Sequence, residues 1–335
     1  MRHFLNSFTY LSINLEAGEL FENFFISAIT AILGIRGFLI ITGYPQLGGG
    51  KYHIAHMLWG GMLMTIAIGM MMLFLNREVK HIGAIIGGVG FGTFIDELGK
   101  FITHDNNYFY QPTIALIYII FVSLFLCVRF IEHYVQVSTK DYAINALEVA
   151  KEVVLYDLDA GEKKQALEYL KNADPYNPIV KTLKTMLHSL TPQVDHEIGF
   201  VSRCKQIFLD YYKKMIENKH FAQILVIMFV GYTGVNLVKL IHYSMFGYGF
   251  AQWGQFISSS ISGVFVVLGL FLLIQRKRLI AYLFLKRSIL ISIYLTQFFI
   301  FYIEQLSAIV GLFSHITILM AIQFLIYQET SLQRK

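Results

Sequence analysis

Long apolar runs recur along this chain, and each is about as long as a bilayer is thick. A helix needs roughly 20 mostly apolar residues to cross the hydrocarbon core. Because 56% of the 335 residues are hydrophobic and 15% are aromatic, an ordinary soluble protein is excluded. The pattern predicts an all-α, polytopic transmembrane bundle of about eight helices, with spans near 24–42, 53–75, 82–103, 112–131, 221–241, 252–274, 288–306 and 309–327.

The lysines and arginines between these runs indicate which connections face the cytoplasm. Short cytoplasmic loops collect Lys and Arg, and here they cluster after the second and sixth spans, at 76–80 and 275–287. The connections at 104–111, 242–251 and 307–308 have none. We therefore expect a multi-pass protein of the cytoplasmic (inner) membrane with both termini in the cytoplasm.

Most of the charge lies in one polar segment between two apolar halves. This divides the chain into an N-terminal membrane half of about four helices, a helical cytoplasmic insert and a C-terminal membrane half of about four helices, at 1–131, 132–220 and 221–335. Within the insert, Asp159 and Glu162 have the spacing of a capping box. The following "DPYNP" ends that helix, and Pro178 can begin another. The sequence has no pattern typical of nucleic-acid binding.

Asp96, Glu97 and Lys100 are ionisable residues inside the third span. They lie in the stretch "GGVGFGTFIDELGKFITHDNNYF" (87–109), which continues past the end of that span. Asp96 and Glu97 follow the cytoplasmic His81 by 15 and 16 residues, which places them roughly 22 Å into the membrane, in the outer leaflet. Asp96, Lys100 and His104 are four residues apart and share one helix face, so the spacing favours an Asp96–Lys100 pair. Glu97 is left for another partner.

Other polar residues are expected to meet this pair from neighbouring helices. A charge in the middle of a membrane costs about 2.5–3.5 kcal/mol and must be paired or face a wet cavity. His53 and His56 begin the second span on one face. Arg36 in the first span either snorkels to an interface or serves as a counter-ion for the acidic pair. The full set of candidates for an ion pathway or binding site is Asp96, Glu97, Lys100, His53, His56, His104, Asp105 and Arg36.

The same residues raise the question of a metal site. Zn²⁺ accepts imidazole and carboxylate ligands, so His53, His56 and Glu97 are the candidate ligands for a divalent metal such as zinc. Helical spacing of the two histidines supplies at most two of the four ligands that such a site needs. Catalytic residues are not assigned.

Glycines of the third span have a structural interpretation. Gly83 and Gly87, and likewise Gly88 and Gly92, have small-xxx-small spacing. Such pairs let helix backbones approach closely in lipid. We therefore expect this helix to pack tightly through these four positions.

The first part of the chain resembles a known group of sequences. "TGYPQLGGGKYHIAHMLWGG" (42–61) and "GGVGFGTFIDELGKFITHDNNYFYQP" (87–112) are similar to an uncharacterised family of bacterial multi-pass membrane proteins, over about 20–112. A His early in one helix and an acidic pair late in the next resemble, more distantly, VanZ-like proteins and ceramidase-like intramembrane hydrolases. The first resemblance implies no function, and the second suggests only a reaction class.

Three functions remain open from the sequence. The first is a channel or transporter, able to form a homo-oligomer, that moves a cation or a proton past the cluster. The second is a metal-dependent intramembrane hydrolase acting on lipid, with Asp96 or Glu97 as general base and Lys100 stabilising negative charge. The third is a membrane sensor or assembly subunit whose cytoplasmic insert, 132–220, docks a protein partner.

Overall fold

The protein is helical throughout the part that the structure describes. The computed structural model describes residues 11–43, 55–105, 107, 110–134, 137–155, 158–191, 214, 224, 226–234, 238 and 249–333. These residues contain no β-strand. Their α-helices are α1 (Ala17–Thr42), α2 (His56–Leu73), α3 (Arg77–Ile95), α4 (Leu98–Ile102), α5 (Thr113–Tyr134), α6 (Thr139–Ala150), α7 (Ala160–Asn172), α8 (Pro178–Ser189), α9 (Phe250–Ile274), α10 (Arg278–Ile291), α11 (Gln297–Glu304) and α12 (Ile309–Gln333).

Five helical segments of the described chain are long and apolar enough to cross a membrane. They are Ala17–Thr42, His56–Leu73, Thr113–Glu132, Phe250–Ile274 and the longer run Arg278–Ser331. The all-α class is therefore confirmed, and so is the presence of several helices able to cross a membrane. The helix within the predicted third span 82–103, α3, is not among these five segments. The count of eight spans and the two four-helix halves stay predictions, because the predicted span 221–241 is described only at 224, 226–234 and 238.

One expected loop is helical. The basic stretch 275–287 was predicted to connect two spans, but α10 begins at Arg278 and continues through it. The stretch contains neither Gly nor Pro, and its "RLIAYLFLKR" is rich in helix-forming residues. A π-helical turn at Ser292–Thr296 then joins α10 to α11, so the helical path is longer than the span 288–306 predicted from hydropathy.

The chain folds as two compact units. The first contains Met1–Phe101 and Ser123–Ile198, and the second contains Ile102–Val122 and Gly199–Lys335. The first unit therefore holds α1 to α3 together with the helices of the polar insert. This grouping differs from the division at residues 131 and 220 expected from composition.

In the first unit, α3 packs directly against α1 and α2 through its glycines. A Cβ at Gly88 would lie 2.3 Å from the Phe24 carbonyl oxygen, and one at Gly92 would lie 2.3 Å from that of Ala28. On the other side, a Cβ at Gly60 of α2 would lie 2.6 Å from the Gly90 carbonyl oxygen. These distances are far below van der Waals contact, so only glycine permits this spacing of the three helices.

The other two predicted packing glycines have looser surroundings. A Cβ at Gly83 would meet the flexible side chain of Met71, 2.7 Å from its Cε atom. At Gly87 the nearest atom is the Ala67 Cβ atom at 3.5 Å, an ordinary contact. The close backbone approach on α3 is therefore made by Gly88, Gly90 and Gly92.

The insert forms a small three-helix layer in the same unit. Asp159 and Glu162 form the predicted capping box at the start of α7, and Asn177 caps α8, which begins at the predicted Pro178. The inner faces of the three helices share an apolar core that includes Ala146, Val149, Leu158, Ala166, Leu170, Val180, Leu183 and Leu187. The amphipathic faces of these short helices are therefore buried against one another.

Arg77, at the start of α3, ties this layer to the membrane helices. Its guanidinium group contacts Glu16 before α1 at 2.7 Å and Glu162 of α7 at 2.8 Å. It also donates to Gln165 Oε1 at 2.8 Å, and its backbone N–H donates to Glu152. One planar cation thus joins three segments that are far apart in the sequence.

The second unit has its own core. Val266 of α9, Leu285 and Ile289 of α10, and Ile322 and Leu325 of α12 are buried together. The hydroxyl group of Ser262 lies 2.8 Å from that of Ser288 and 2.9 Å from that of Ser292. Tyr118 donates its hydroxyl hydrogen to the Ile293 carbonyl oxygen inside the π-helical turn, which satisfies a backbone acceptor where the helix is irregular.

Candidate functional site

The two acidic residues of the third span lie where α3 stops. α3 ends at Ile95, Asp96 and Glu97 form a turn, and α4 begins at Leu98. Both carboxylates have no exposed surface. The predicted continuous helix through 103 is therefore interrupted at these residues, and its spacing rules do not apply across the turn.

Asp96 is paired with Arg36 of α1. The Arg36 Nε atom lies 2.5 Å from Asp96 Oδ1, and Nη2 donates to the Asp96 backbone carbonyl at 3.4 Å. The Arg36 side chain is only 13% exposed. Of the two sequence interpretations of Arg36, the structure supports the counter-ion.

Glu97 is held by a cation and by a helix end. Lys100 Nζ lies 2.6 Å from Glu97 Oε1, so Lys100 pairs with Glu97 and not with Asp96 as the helical spacing predicted. The Met57 N–H donates to Glu97 Oε2 at 3.2 Å. Since α2 has no side-chain N-cap of its own, Glu97 satisfies one of its otherwise unpaired amides and complements its positive end.

His56 bridges the two carboxylates. Its Nε2 atom lies 3.3 Å from Asp96 Oδ2, and its Nδ1 atom lies 3.2 Å from Glu97 Oε1. His56 and Lys100 are about one-fifth exposed, at 22% and 21%. They are therefore the members of the cluster through which water or a proton can reach the buried acids.

The two contacts of His56 differ in the hydrogen that each one needs. A neutral imidazole has one N–H and one lone pair, so it donates to only one acceptor. Both contacts of His56 attract only when one further proton is present, either on His56 or on a facing carboxylate. We refer to His56, Asp96, Glu97, Arg36 and Lys100 as the acid–imidazole cluster. With both acids ionised and His56 neutral its charge is zero, and it has a place for one exchangeable proton.

A divalent metal does not fit this arrangement well. Arg36 holds Asp96 Oδ1 and Lys100 holds Glu97 Oε1, so a metal ion would compete with these two cations for the carboxylates. Within the described ranges, no group of three or more His, Cys, Asp and Glu side chains is arranged to hold a metal ion. His53, the third candidate ligand, lies outside the described residues.

The remaining candidates are not part of the cluster as described. His104 and Asp105 follow α4, belong to the second unit and are exposed. The contribution of the Met57 backbone amide was not predicted, because a main-chain donor leaves no mark in a sequence. The missing N-cap at Ala55 is the only signal that could have indicated it.

The comparisons with known proteins give no further guidance. No protein-family model, no curated protein and no solved structure matches this chain. The two resemblances noted for its first part therefore stay predictions.

Proposed function

We propose that this protein is a membrane channel or transporter that moves protons through the acid–imidazole cluster. The observation that carries the proposal is the position of His56, with each ring nitrogen facing a buried carboxylate. Buried ionisable residues in membrane segments most often mark an ion path or a proton relay. The loop charges place the cluster in the outer leaflet, with both termini in the cytoplasm.

The geometry supports a proton better than a metal cation. A proton arriving at His56 needs no new ligands, because both acceptors are already in place. Its transfer to Asp96 or Glu97 neutralises that carboxylate and weakens the contact with Arg36 or Lys100. Protonation would thereby loosen the junction of α1, α2 and α3, which is a route from proton binding to helix movement.

Proton flux in liposomes tests this proposal. The purified chain would be reconstituted with a pH-sensitive dye inside the vesicles, and flux would be driven by an imposed membrane potential. We expect flux in the parent and at least a tenfold loss in Glu97→Gln, which keeps the shape but not the charge. Glu132→Gln, at a surface pair with Arg129, is the matched control. Equal flux in the parent and in Glu97→Gln would refute the proposal.

We also infer a second role, in binding a protein partner, from a basic groove between α7 and α8. The groove encloses about 360 Å³ and is lined by Ala160, Lys163, Lys164, Leu167, Lys171, Lys184 and His188. The described salt bridges nearby use Arg77, Lys80 and Lys151 and none of these lysines. Lys171 follows Glu162 by nine residues, which is two and a half turns, so it lies opposite the face that binds Arg77. This favours an acidic segment of a cytoplasmic protein over the bilayer surface.

Peptide binding tests this second role. A glutamate-rich helical peptide should bind the full chain in a fluorescence anisotropy assay, and the affinity should fall steeply with salt. The double variant Lys164→Glu/Lys171→Glu should lose binding at least tenfold. Lys181→Glu, an exposed residue of α8 outside the groove, is the control. An equal loss of peptide affinity in this control would show that the peptide is attracted by positive charge in general and does not bind in the groove.

A further inference from the structure

The second unit contains a cavity that the acid–imidazole cluster does not use. It encloses about 380 Å³ between the helical residues 226–234, the end of α11 and the start of α12. Its wall is mostly apolar, with Ile300 and Ile318 among the lining residues. A concave, mostly apolar pocket with a few converging polar groups is the usual form of a small-molecule site. Its polar groups therefore decide which ligand it suits.

His315 is the most deeply placed of these polar groups. Only 4% of the residue is exposed, and its Nδ1 atom has no hydrogen-bond partner among the described residues. The rings of Phe229 and Tyr232 stand edge-on to the imidazole, each with its centroid 6.1 Å away. A buried nitrogen without a partner costs about 1–3 kcal/mol, so a ligand that supplies a hydrogen bond here would recover that loss.

Glu304 gives the cavity its charge. It lines the same cavity, and no described Lys or Arg is paired with it, since the described salt bridge of this unit joins Arg278 to Glu329. α11 ends at Glu304, so the partial negative charge of its last carbonyl groups adds to that of the carboxylate. No Lys or Arg is among the described residues that line the cavity. The described part of the lining is therefore negatively charged.

The side chain of Gln297 contains a second buried polar atom, close to residues that line the cavity. Gln297 is fully buried and donates its Nε2 hydrogen to the Ala308 carbonyl oxygen at 2.8 Å. Its Oε1 atom has no partner in the described part of the chain, and a Cβ at Gly311 would lie 3.9 Å from it. Gly311 and Ala308 both line the cavity. Gln297 Oε1 is thus a second buried acceptor without a described partner next to residues of the cavity wall.

We propose that this cavity binds a small organic cation that carries an ammonium group on an apolar body. The ammonium group would pair with Glu304 and lie near the aromatic rings of Phe229 and Tyr232, which attract cations. One of its N–H groups would donate to His315 Nδ1. The apolar body would occupy the space beside Ile300 and Ile318. The site shares no residue with the acid–imidazole cluster and goes beyond the proposed proton movement.

Three probes of one shape and different charge test the proposal. They are 2-phenylethylamine, 2-phenylethanol and phenylacetate, measured by isothermal titration calorimetry on the purified full chain in detergent at neutral pH. We expect the amine to bind at least tenfold more tightly than the alcohol, and the carboxylate to bind most weakly. Equal binding of the three probes, or preference for phenylacetate, would overturn the proposal.

Two variants locate the binding. Glu304→Gln should abolish the preference for the amine and leave binding of the alcohol within about twofold, which also shows that the variant has folded. Glu329→Gln, the same change in the same unit but outside the cavity, should keep the preference. His315→Phe should weaken the amine more than the alcohol. If Glu304→Gln keeps the full preference for the amine, the proposal is wrong.

Discussion

At the scale of single residues, the balance between Asp96 and its cations decides whether the buried turn after α3 is stable. Asp96 has no exposed surface, and Arg36 contacts its Oδ1 atom. A buried carboxylate that loses its cation keeps the full cost of leaving water. The stability of the turn therefore depends on keeping the pair together more than on the net energy of the pair.

Arg36→Leu should destabilise the protein by about 3–5 kcal/mol, because it leaves Asp96 buried without its guanidinium partner. Adding Asp96→Asn to this variant should recover most of the loss, since the amide carries no charge. Unfolding of the purified chain in detergent, followed for the parent, both single variants and the double variant, measures this coupling. If the loss of stability in the double variant equals the sum of the losses in the two single variants, the pairing of Arg36 with Asp96 is contradicted.

Asp141 has a pH dependence whose sign follows from its contacts. Burial of its carboxylate opposes ionisation, but hydrogen bonds from the Ser138 N–H and hydroxyl groups and from the Ile13 N–H outweigh burial and lower its pKa below 3.8. Ionised Asp141 therefore stabilises the folded state above its ordinary pKa, and this contribution is lost as the pH falls through the lower folded pKa.

The stability difference between the parent and Asp141→Asn should thus be constant above about pH 5 and shrink below about pH 4. Hydrogen–deuterium exchange of the amides of α6 is a local measure of it. Lys151→Gln, which removes a cation at the C-terminal end of the same helix, serves as a comparison variant. A difference that grows on acidification would show that the sign is wrong.

At the scale of helices, the close approach of α2 and α3 depends on one glycine of an adjacent pair. A Cβ at Gly60 would lie 2.5 Å from the Phe94 amide nitrogen, whereas a Cβ at Gly61 would meet nothing within 4 Å. Backbone atoms cannot move aside as a side-chain end can. The two neighbours should therefore respond oppositely to the same change.

Gly60→Ala should destabilise the protein by about 1–3 kcal/mol, because the two helices must separate. Gly61→Ala should be neutral or stabilising by up to about 1 kcal/mol, because alanine favours the helix. Thermal unfolding of both variants in detergent gives the comparison. Equal effects at the two positions would mean that α2 and α3 do not pack as described.

Local sequence signals predicted some elements well and missed others for a physical reason. The capping box at Asp159 and the helix start at Pro178 were predicted because the side chains that set them are neighbours in the sequence. The break in the helix at Asp96 was not predicted, because "FIDELGKF" has the composition of a helix. It is stabilised by Arg36 and by the amide of Met57, which are distant in the chain.

At the scale of the whole molecule, the loop charges set the orientation on which the depth of the cluster depends. If the termini are cytoplasmic, residue 107 lies outside and residue 277 lies inside. The charges are the whole basis for this assignment. It places the acid–imidazole cluster toward the outer surface, and the reverse orientation would place it toward the cytoplasm.

Labelling of single cysteines tests the orientation. In a background with Cys127→Ser and Cys204→Ser, Asn107→Cys should react with a membrane-impermeant maleimide on intact cells. Lys277→Cys should react only after permeabilisation. The opposite pattern would reverse the topology.

The sequence predicted which residues form the candidate site better than it predicted which of them pair with one another. The cost of buried charge indicated that Asp96 and Glu97 need partners, with Arg36 as one candidate, and the structure brings these three together with His56 and Lys100. Which cation pairs with which acid depends on the turn and was mispredicted. The cavity around His315 could not be predicted, because a single histidine in an apolar run has no spacing pattern.

The contacts of Arg77 also have a consequence for how the protein is made. Glu16 has already been synthesised when Arg77 emerges from the ribosome, but Glu162 follows 85 residues later and Gln165 follows 88 later. Until then the N-terminal end of α3 lacks two of its partners. Completion of the first unit therefore waits for translation of α7, and a chain truncated before that helix would leave Arg77 without these two contacts.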